Sequence, residues 1–167
     1  ENPLAWVISR DFQATPLPLL AETDGEGRVK ALFGHFALRN PQVTALQKDA
    51  HALILFGGPQ GYISPTLVSN PTWGPTWNYA VARFKVRIEF VAEENDPAIV
   101  LLAKHVEPQG DWTPAAMGPR YGQLIKHIIA FRAYVEDGQA TFKLGQDEAP
   151  GTFAEIVDGL GDGDLAH

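Results

Sequence analysis

From Arg83 to Phe90 the sequence alternates charged and apolar side chains one by one, within the longer run VARFKVRIEFV at 81–91. A period of two places Phe84, Val86, Ile88 and Phe90 on one face of a strand and Arg83, Lys85, Arg87 and Glu89 on the other. A strand of a parallel sheet is covered on both faces and reads as a continuous apolar run, so this pattern predicts an antiparallel sheet with its core on one side only. The neighbouring segments fit the same architecture. Ala5 to Ser9 and the stretch FQATPLPLLAE read as a hairpin about a polar turn at Arg10 and Asp11. TDGEGR at 23–28 carries Asp-Gly turn chemistry ahead of a third strand, VKALFGHFAL. HALILFGG reads as a buried strand, and FGGPQG at 56–61 as the turn that ends it.

Helical signals are short and peripheral. Asn40 is a candidate N-cap with Pro41 at the first helical position, which predicts a helix over 41–48. Asp96 and Pro97 open a second, with Ile99, Leu102, Ala103 and Val106 at helical spacing. A short helix is expected near YGQLIK, then a strand, an Asp-Gly turn and another strand across HIIAFRAYVEDGQATFKLG. Phe153, Ile156, Val157 and Leu160 make an amphipathic closing helix. Six or seven strands in hairpin order predict a mainly β fold, a β-barrel with peripheral helices, and the missing βαβ alternation excludes the usual dinucleotide-binding architectures. The 167 residues are read as one domain ending in a helix and acidic tail over about 146–167, where Asp147, Glu148, Glu155, Asp158, Asp162 and Asp164 face only His167 and read as solvated.

Several function classes fall away on composition. No apolar run is long enough to span a bilayer, and the start lacks the basic and cleavage regions of a signal peptide, so a cytoplasmic protein is expected. The start also lacks Met, which predicts a preceding segment. Without cysteine there is no thiolate catalysis and no cysteine-based zinc site. A net charge of −7 repels a phosphate backbone and opposes direct nucleic-acid binding. Serine occurs only at 9, 64 and 69, none in a nucleophile elbow, and the five histidines show no metal-ligand spacing, so no metal site is expected.

Three stretches carry candidate chemistry: GHFALRNPQ at 34–42, YISP at 62–65 and PTWNY at 75–79. In the first, His35 lies on a strand, and Arg39 and Asn40 fall where a helix begins. A guanidinium beside helix N-terminal amides suits an anion, whereas the plainer reading of Arg39 is a surface ion-pair partner. Trp73, Trp77 and Tyr79 offer stacking area on a loop stiffened by Pro71 and Pro75, whereas the plainer reading sends Trp77 and Tyr79 into the core.

These blocks, with FKLGQ at 142–146 ahead of an acidic helix, resemble in order the signature of the PaiB family, described as FMN-binding negative transcriptional regulators with an FMN-binding split barrel. The resemblance runs from about Pro3 to Leu160. Two departures stand out: the family's opening Y-x-P-x-x-F is missing, and Thr66, Leu67 and Val68 replace its usual Ser-Trp-Tyr. The loop to PTWNY is also shortened. The resemblance implies a six-stranded split barrel that forms a homodimer, with FMN in a groove at the dimer interface. It places the flavin phosphate at Arg39 and Asn40, with Thr15 as a further contact. The remaining cofactor contacts it suggests are His35, Tyr62, Ser64, Trp73, Thr76, Trp77 and Asn78, the aromatic loop walling the isoalloxazine. Two alternatives accompany it: an NAD(P)H-dependent flavin oxidoreductase, and a haem-binding or haem-degrading protein using His35 or His51. No catalytic residue is singled out.

Overall fold

Leu19 is the single residue between two strands at opposite edges of one sheet, and it explains how the chain closes on itself. The computed structural model describes residues 3–161, 163 and 165. Its strands are β1 (Leu4–Ser9), β2 (Ala14–Pro18), β3 (Leu20–Thr23), β4 (Val29–Ala37), β5 (His51–Ile63), β6 (Thr76–Phe90) and β7 (Ile128–Lys143). Helices α1 (Pro41–Lys48), α2 (Asn95–Val106), α3 (Pro119–Leu124) and α4 (Pro150–Leu160) punctuate them. The seven strands form one sheet in the order β2-β1-β5-β6-β7-β4-β3. Its edges, β2 and β3, are consecutive in the chain, so with Leu19 as a bend they count as one strand of a six-stranded barrel. The buried Leu19 donates its N–H to the Pro3 carbonyl and lies over β4 at Gly34, where a Cβ would approach the Leu19 side chain to 2.5 Å.

The chain divides into two compact units, one of residues up to Phe56 with Arg83–Gly138, the other of Gly57–Ala82 with the residues after Gly138. In the first, Val7, Leu32, Phe36, Ile54, Val86, Ile88 and Phe131 form the main core. Alternation on β6 falls as expected, with Val86 and Ile88 buried and Arg83, Lys85, Arg87 and Glu89 exposed. Strand β4 is buried on both faces, because Phe33 packs on the side opposite Phe36 with Val91, Ala98 of α2 and Ala130. Arg132 crosses the Phe33 ring at 4.6 Å and pairs with Glu22 and Glu94, holding the Glu94 carboxyl below the usual carboxylate range. In the second unit α4 buries Ile156. No helix among the described residues is long and apolar enough to cross a membrane.

Four expectations are corrected. FGGPQG does not end a strand: β5 continues to Ile63, and Gly58 sits where a Cβ would come within 3.0 Å of Ala80 on β6, so it permits close strand contact. Asp137-Gly138 is not a turn either, because β7 runs unbroken to Lys143; a Cβ on Gly138 would meet the Phe84 ring at 3.0 Å, and its φ is not in the left-handed region. Helix α2 starts two residues before Pro97, at Asn95, with Glu94 and not Asp96 at the cap position; the Asn95 side chain accepts from the Ala130 N–H and donates to the Ile125 and Ile128 carbonyls. The acidic C-terminal segment is not simply solvated, since Glu148 and Glu155 are both engaged as described below; Asp162, Asp164 and His167 lie outside the described residues.

Candidate functional site

The first cluster grows from the end of β4. Asn40 keeps an extended backbone (φ −66°, ψ 125°), its side chain accepts from the Gln42 N–H at 2.9 Å, and Pro41 opens α1. The Asn40 amide donates to Thr15 Oγ1 at 3.0 Å, and Thr15 donates in turn to Gln42 Oε1 at 2.6 Å. Gln42 is fully buried, and its Nε2 lies 2.9 Å from the Val7 carbonyl and 3.0 Å from that of Gln13. This network ties α1 to β1 and β2. Thr15 and Asn40 are thus brought together, through a residue that lay inside the quoted GHFALRNPQ motif but was not nominated from sequence. A glutamine just inside a capped helix start reads as surface polarity, and only the three-dimensional closure buries it.

The cap also narrows the anion argument. Pro41 has no N–H, the Gln42 N–H is taken by the Asn40 side chain, and the Val43 N–H by the Asn40 carbonyl at 3.0 Å. Charge at this end of the unit therefore rests on Arg39. Its side chain is exposed, and no carboxylate pairs with it among the described residues, against the plainer ion-pair reading. It lines a surface cavity of about 520 Å³ with Ala37, Leu38 and His127. Four residues earlier on β4, burial pushes the His35 imidazole below its ordinary pKa, and its buried Nδ1 has no hydrogen-bond partner.

The second cluster lies in the other unit. Trp77 and Tyr79 point outward, 51% and 37% exposed, so the reading that sends them into the core is corrected: the strand phase buries Asn78 instead, at 5%. The buried Asn78 Oδ1 has no hydrogen-bond partner. The Trp77 and Tyr62 rings stand 6.2 Å apart at 54°, and the Trp77 indole donates to Gln60 Oε1 at 3.2 Å. Thr76 Oγ1 accepts from Lys143. Ser64 caps the short turn Pro65–Leu67, accepting from the Thr66 N–H and contacting its hydroxyl at 2.9 Å. The aromatic loop is pinned at both ends: the Ser69 N–H and hydroxyl both donate to Glu155, keeping that carboxyl low, and the Trp73 indole donates to Glu148 at 3.1 Å. Sequence reasoning missed these two glutamates because their partners lie more than seventy residues away.

Among the described residues, the two buried side-chain polar atoms without a partner are thus His35 Nδ1 and Asn78 Oδ1, both on residues nominated from the sequence. A buried polar group normally finds a hydrogen bond, and these two do not. No group of three or more metal-ligating side chains occurs among the described residues.

Residues 1–137 match the family FMN_bind_2, described as "Putative FMN-binding domain". The chain is 30% identical over 133 residues to protease synthase and sporulation protein PAI 2 of Bacillus subtilis, covering 76% of this chain and 63% of that protein. It therefore spans less than two thirds of that relative's length. Among solved structures, the conserved hypothetical protein Rv2991 from Mycobacterium tuberculosis superposes with a TM-score of 0.58 at 14% identity, over 85% of this chain and 78% of that one. The flavocytochrome Anf3 from Azotobacter vinelandii gives a TM-score of 0.60 at 14% identity, over 85% and 62%. The fold is mainly β and of the split-barrel type, as the sequence resemblance implied.

Proposed function

The chain belongs to the FMN_bind_2 family, and from that premise we propose that it binds FMN as a homodimer and acts through the state of that flavin. The observation that carries the proposal lies in the first unit, where the buried His35 Nδ1 has no hydrogen-bond partner and the exposed Arg39, with no carboxylate partner among the described residues, lines a surface cavity; in the second unit the buried Asn78 Oδ1 likewise has no partner. The donor set suits the ligand. A guanidinium is matched to a phosphate dianion. Asn78 Oδ1 can accept from a flavin N–H, and His35 Nδ1 can accept or donate according to its tautomer. Tyr62 on β5 and Trp77 on β6 supply flat apolar surface for the ring, and Trp73, held by Glu148, stiffens the loop between those strands. Thr15 and Asn40, occupied by Gln42, act by fixing where Arg39 leaves β4. When bound, the flavin supplies hydride and single-electron transfer. The protein's part is to hold the phosphate, orient the ring and keep water from it.

The homodimer is supported by an apolar strip on the outer face of the barrel sheet. Trp6, 51% exposed, stands in register between Pro16 on β2 and Leu55 on β5, with Leu4 49% exposed beside it. Contiguous apolar surface of this kind marks an interface. With a net charge of −7, any effect on transcription runs through a partner and not through direct contact with DNA. The haem reading has one point in its favour, the unpaired His35 nitrogen.

The test is the absorption spectrum of the purified chain titrated with FMN and, separately, with haem. Saturable flavin binding that weakens in Asn78→Ala is the expected result. A Soret band that depends on His35, with no flavin uptake, replaces this reading by the haem one. Light scattering should give about 36 kDa, twice the 18.2 kDa chain, falling to the monomer in Trp6→Glu. A wild-type monomer at micromolar concentration removes the homodimer.

A further inference from the structure

In the second unit, the segment that follows β7 lies along the β5–β6 connection as a strap. The contacts run in one order, the connection read backwards against the later residues read forwards. Thr76 accepts from Lys143, the Trp73 indole donates to Glu148, and Ser69 donates twice to Glu155, at 2.8 and 2.6 Å. Gly159 of α4 then sits against Leu67, and Leu165 against Gly61. Both glycines permit the approach, since a Cβ at either would stand 2.8 Å from the leucine. The whole strap falls after residues 1–137, the part that matches the family.

Beside the strap lies Asn78. Its Nδ2 is 3.7 Å from where a Gly145 Cβ would stand, and its Oδ1 is buried with no hydrogen-bond partner. A ligand that satisfies this oxygen has to reach an atom closed to water, so something covering it has to move. The strap is fastened for that. Helix α4 buries Ile156 alone, Phe142 and Phe153 stay exposed, and the bonds to Glu155 are open to solvent. Few buried apolar contacts and exposed hydrogen bonds mark a segment that opens at low free-energy cost.

We propose that residues 143–160 are a gate through which the flavin ring reaches Asn78, with Glu148 and Glu155 as its clasp. The proposal rests on the flavin reading above. Both glutamates bond to the loop, so they are positioning residues and touch no ligand. A clasp that closes equally over the empty and the filled site sets the rates of entry and exit and leaves the equilibrium alone. Loss of a direct flavin contact, or damage to the fold, changes affinity instead.

Glu155→Ala removes both bonds to Ser69, whereas Glu155→Gln keeps an oxygen that accepts one of them. Hydrogen–deuterium exchange of the ligand-free chain should quicken across residues 64–75 in Glu155→Ala and stay as it was in the first unit. Stopped-flow mixing with FMN and with riboflavin should show association and dissociation both faster by roughly tenfold, the low end for a hydrogen bond to a charged group because solvent screens the clasp, with Kd hardly moved. Riboflavin responds like FMN, because the gate does not read the phosphate. Glu155→Gln should fall between the parent and Glu155→Ala. Faster dissociation at unchanged association, unchanged rates in a parent that binds flavin, or exchange that quickens throughout the chain each overturns the gate alone. A parent chain that takes up neither flavin overturns the flavin reading and the gate together, which tells the two failures apart.

Discussion

Replacing Arg39 by alanine tests the flavin reading at its most exposed point. The guanidinium has no carboxylate partner among the described residues and lines an open cavity with Ala37, Leu38 and His127, so removing it breaks no ion pair and opens no core. Folding stability should therefore change by no more than about 0.5 kcal/mol, as for surface substitutions generally. A hydrogen bond to a charged group is worth about 1.5 to 3 kcal/mol. Solvent around Arg39 screens the pair, which places the loss near the low end, about 1.5 kcal/mol, or roughly tenfold in affinity for FMN. Riboflavin lacks the phosphate, so its affinity should hardly move. The assay is a four-way titration, FMN and riboflavin into the parent chain and into Arg39→Ala, followed by flavin fluorescence and repeated at high salt, where the FMN difference should shrink. Equal losses for the two flavins would show that the substitution acts through structure. No loss for either would place the phosphate elsewhere and refute the argument from the unpaired guanidinium.

Gln42→Ala should cost about 2 to 3 kcal/mol, because it removes a fully buried side chain that donates to the Val7 carbonyl and accepts from the Thr15 hydroxyl, and the urea midpoint should fall without a change in slope. Gly138→Ala should destabilise by about 1 to 3 kcal/mol by overpacking against Phe84, and Phe84→Leu should recover much of it in a double-mutant cycle. His35 has a folded-state pKa pushed down by burial from 6.5, so between those two values the unfolded chain binds the extra proton. Stability is then full above about 6.5 and declines as pH falls below it; denaturation at pH 7.5 and 5.5 should show that decline in the parent and lose it in His35→Gln.

The legible parts of the fold were those written in local sequence. Alternation from Arg83 to Phe90, the Asn40–Pro41 helix start and the Asp24-Gly25 turn each depend on residues within a few positions of one another, and all three stand as expected. Gly58 and Gly138 misled because glycine has two uses, reversing a chain and letting another group come close, and only the partner, Ala80 or the Phe84 ring, tells them apart. The strand phase at Trp77 to Tyr79 was likewise ambiguous, since buried Asn78 runs against ordinary partition. The same limit applies at the candidate site. There, Gln42, Glu148 and Glu155 took on their roles through contacts 27 to 86 residues distant in sequence.

Pairing of β4 with β7 also sets an order of events at the ribosome. Ala31 lies against Tyr134 and Ala37 against Ile128, so the hairpin of β3 and β4 exists long before the strand that completes it. At roughly 5 to 20 residues per second, the intervening chain takes about 5 to 20 seconds to emerge. Through that interval β4 presents an open row of amides and carbonyls beside Leu32, Phe33 and Phe36. Non-local closure of this kind is slow in any case, and here synthesis imposes a further wait. The nascent chain is at its most adhesive along β4, and cellular factors that shelter unfinished strands have their natural target there.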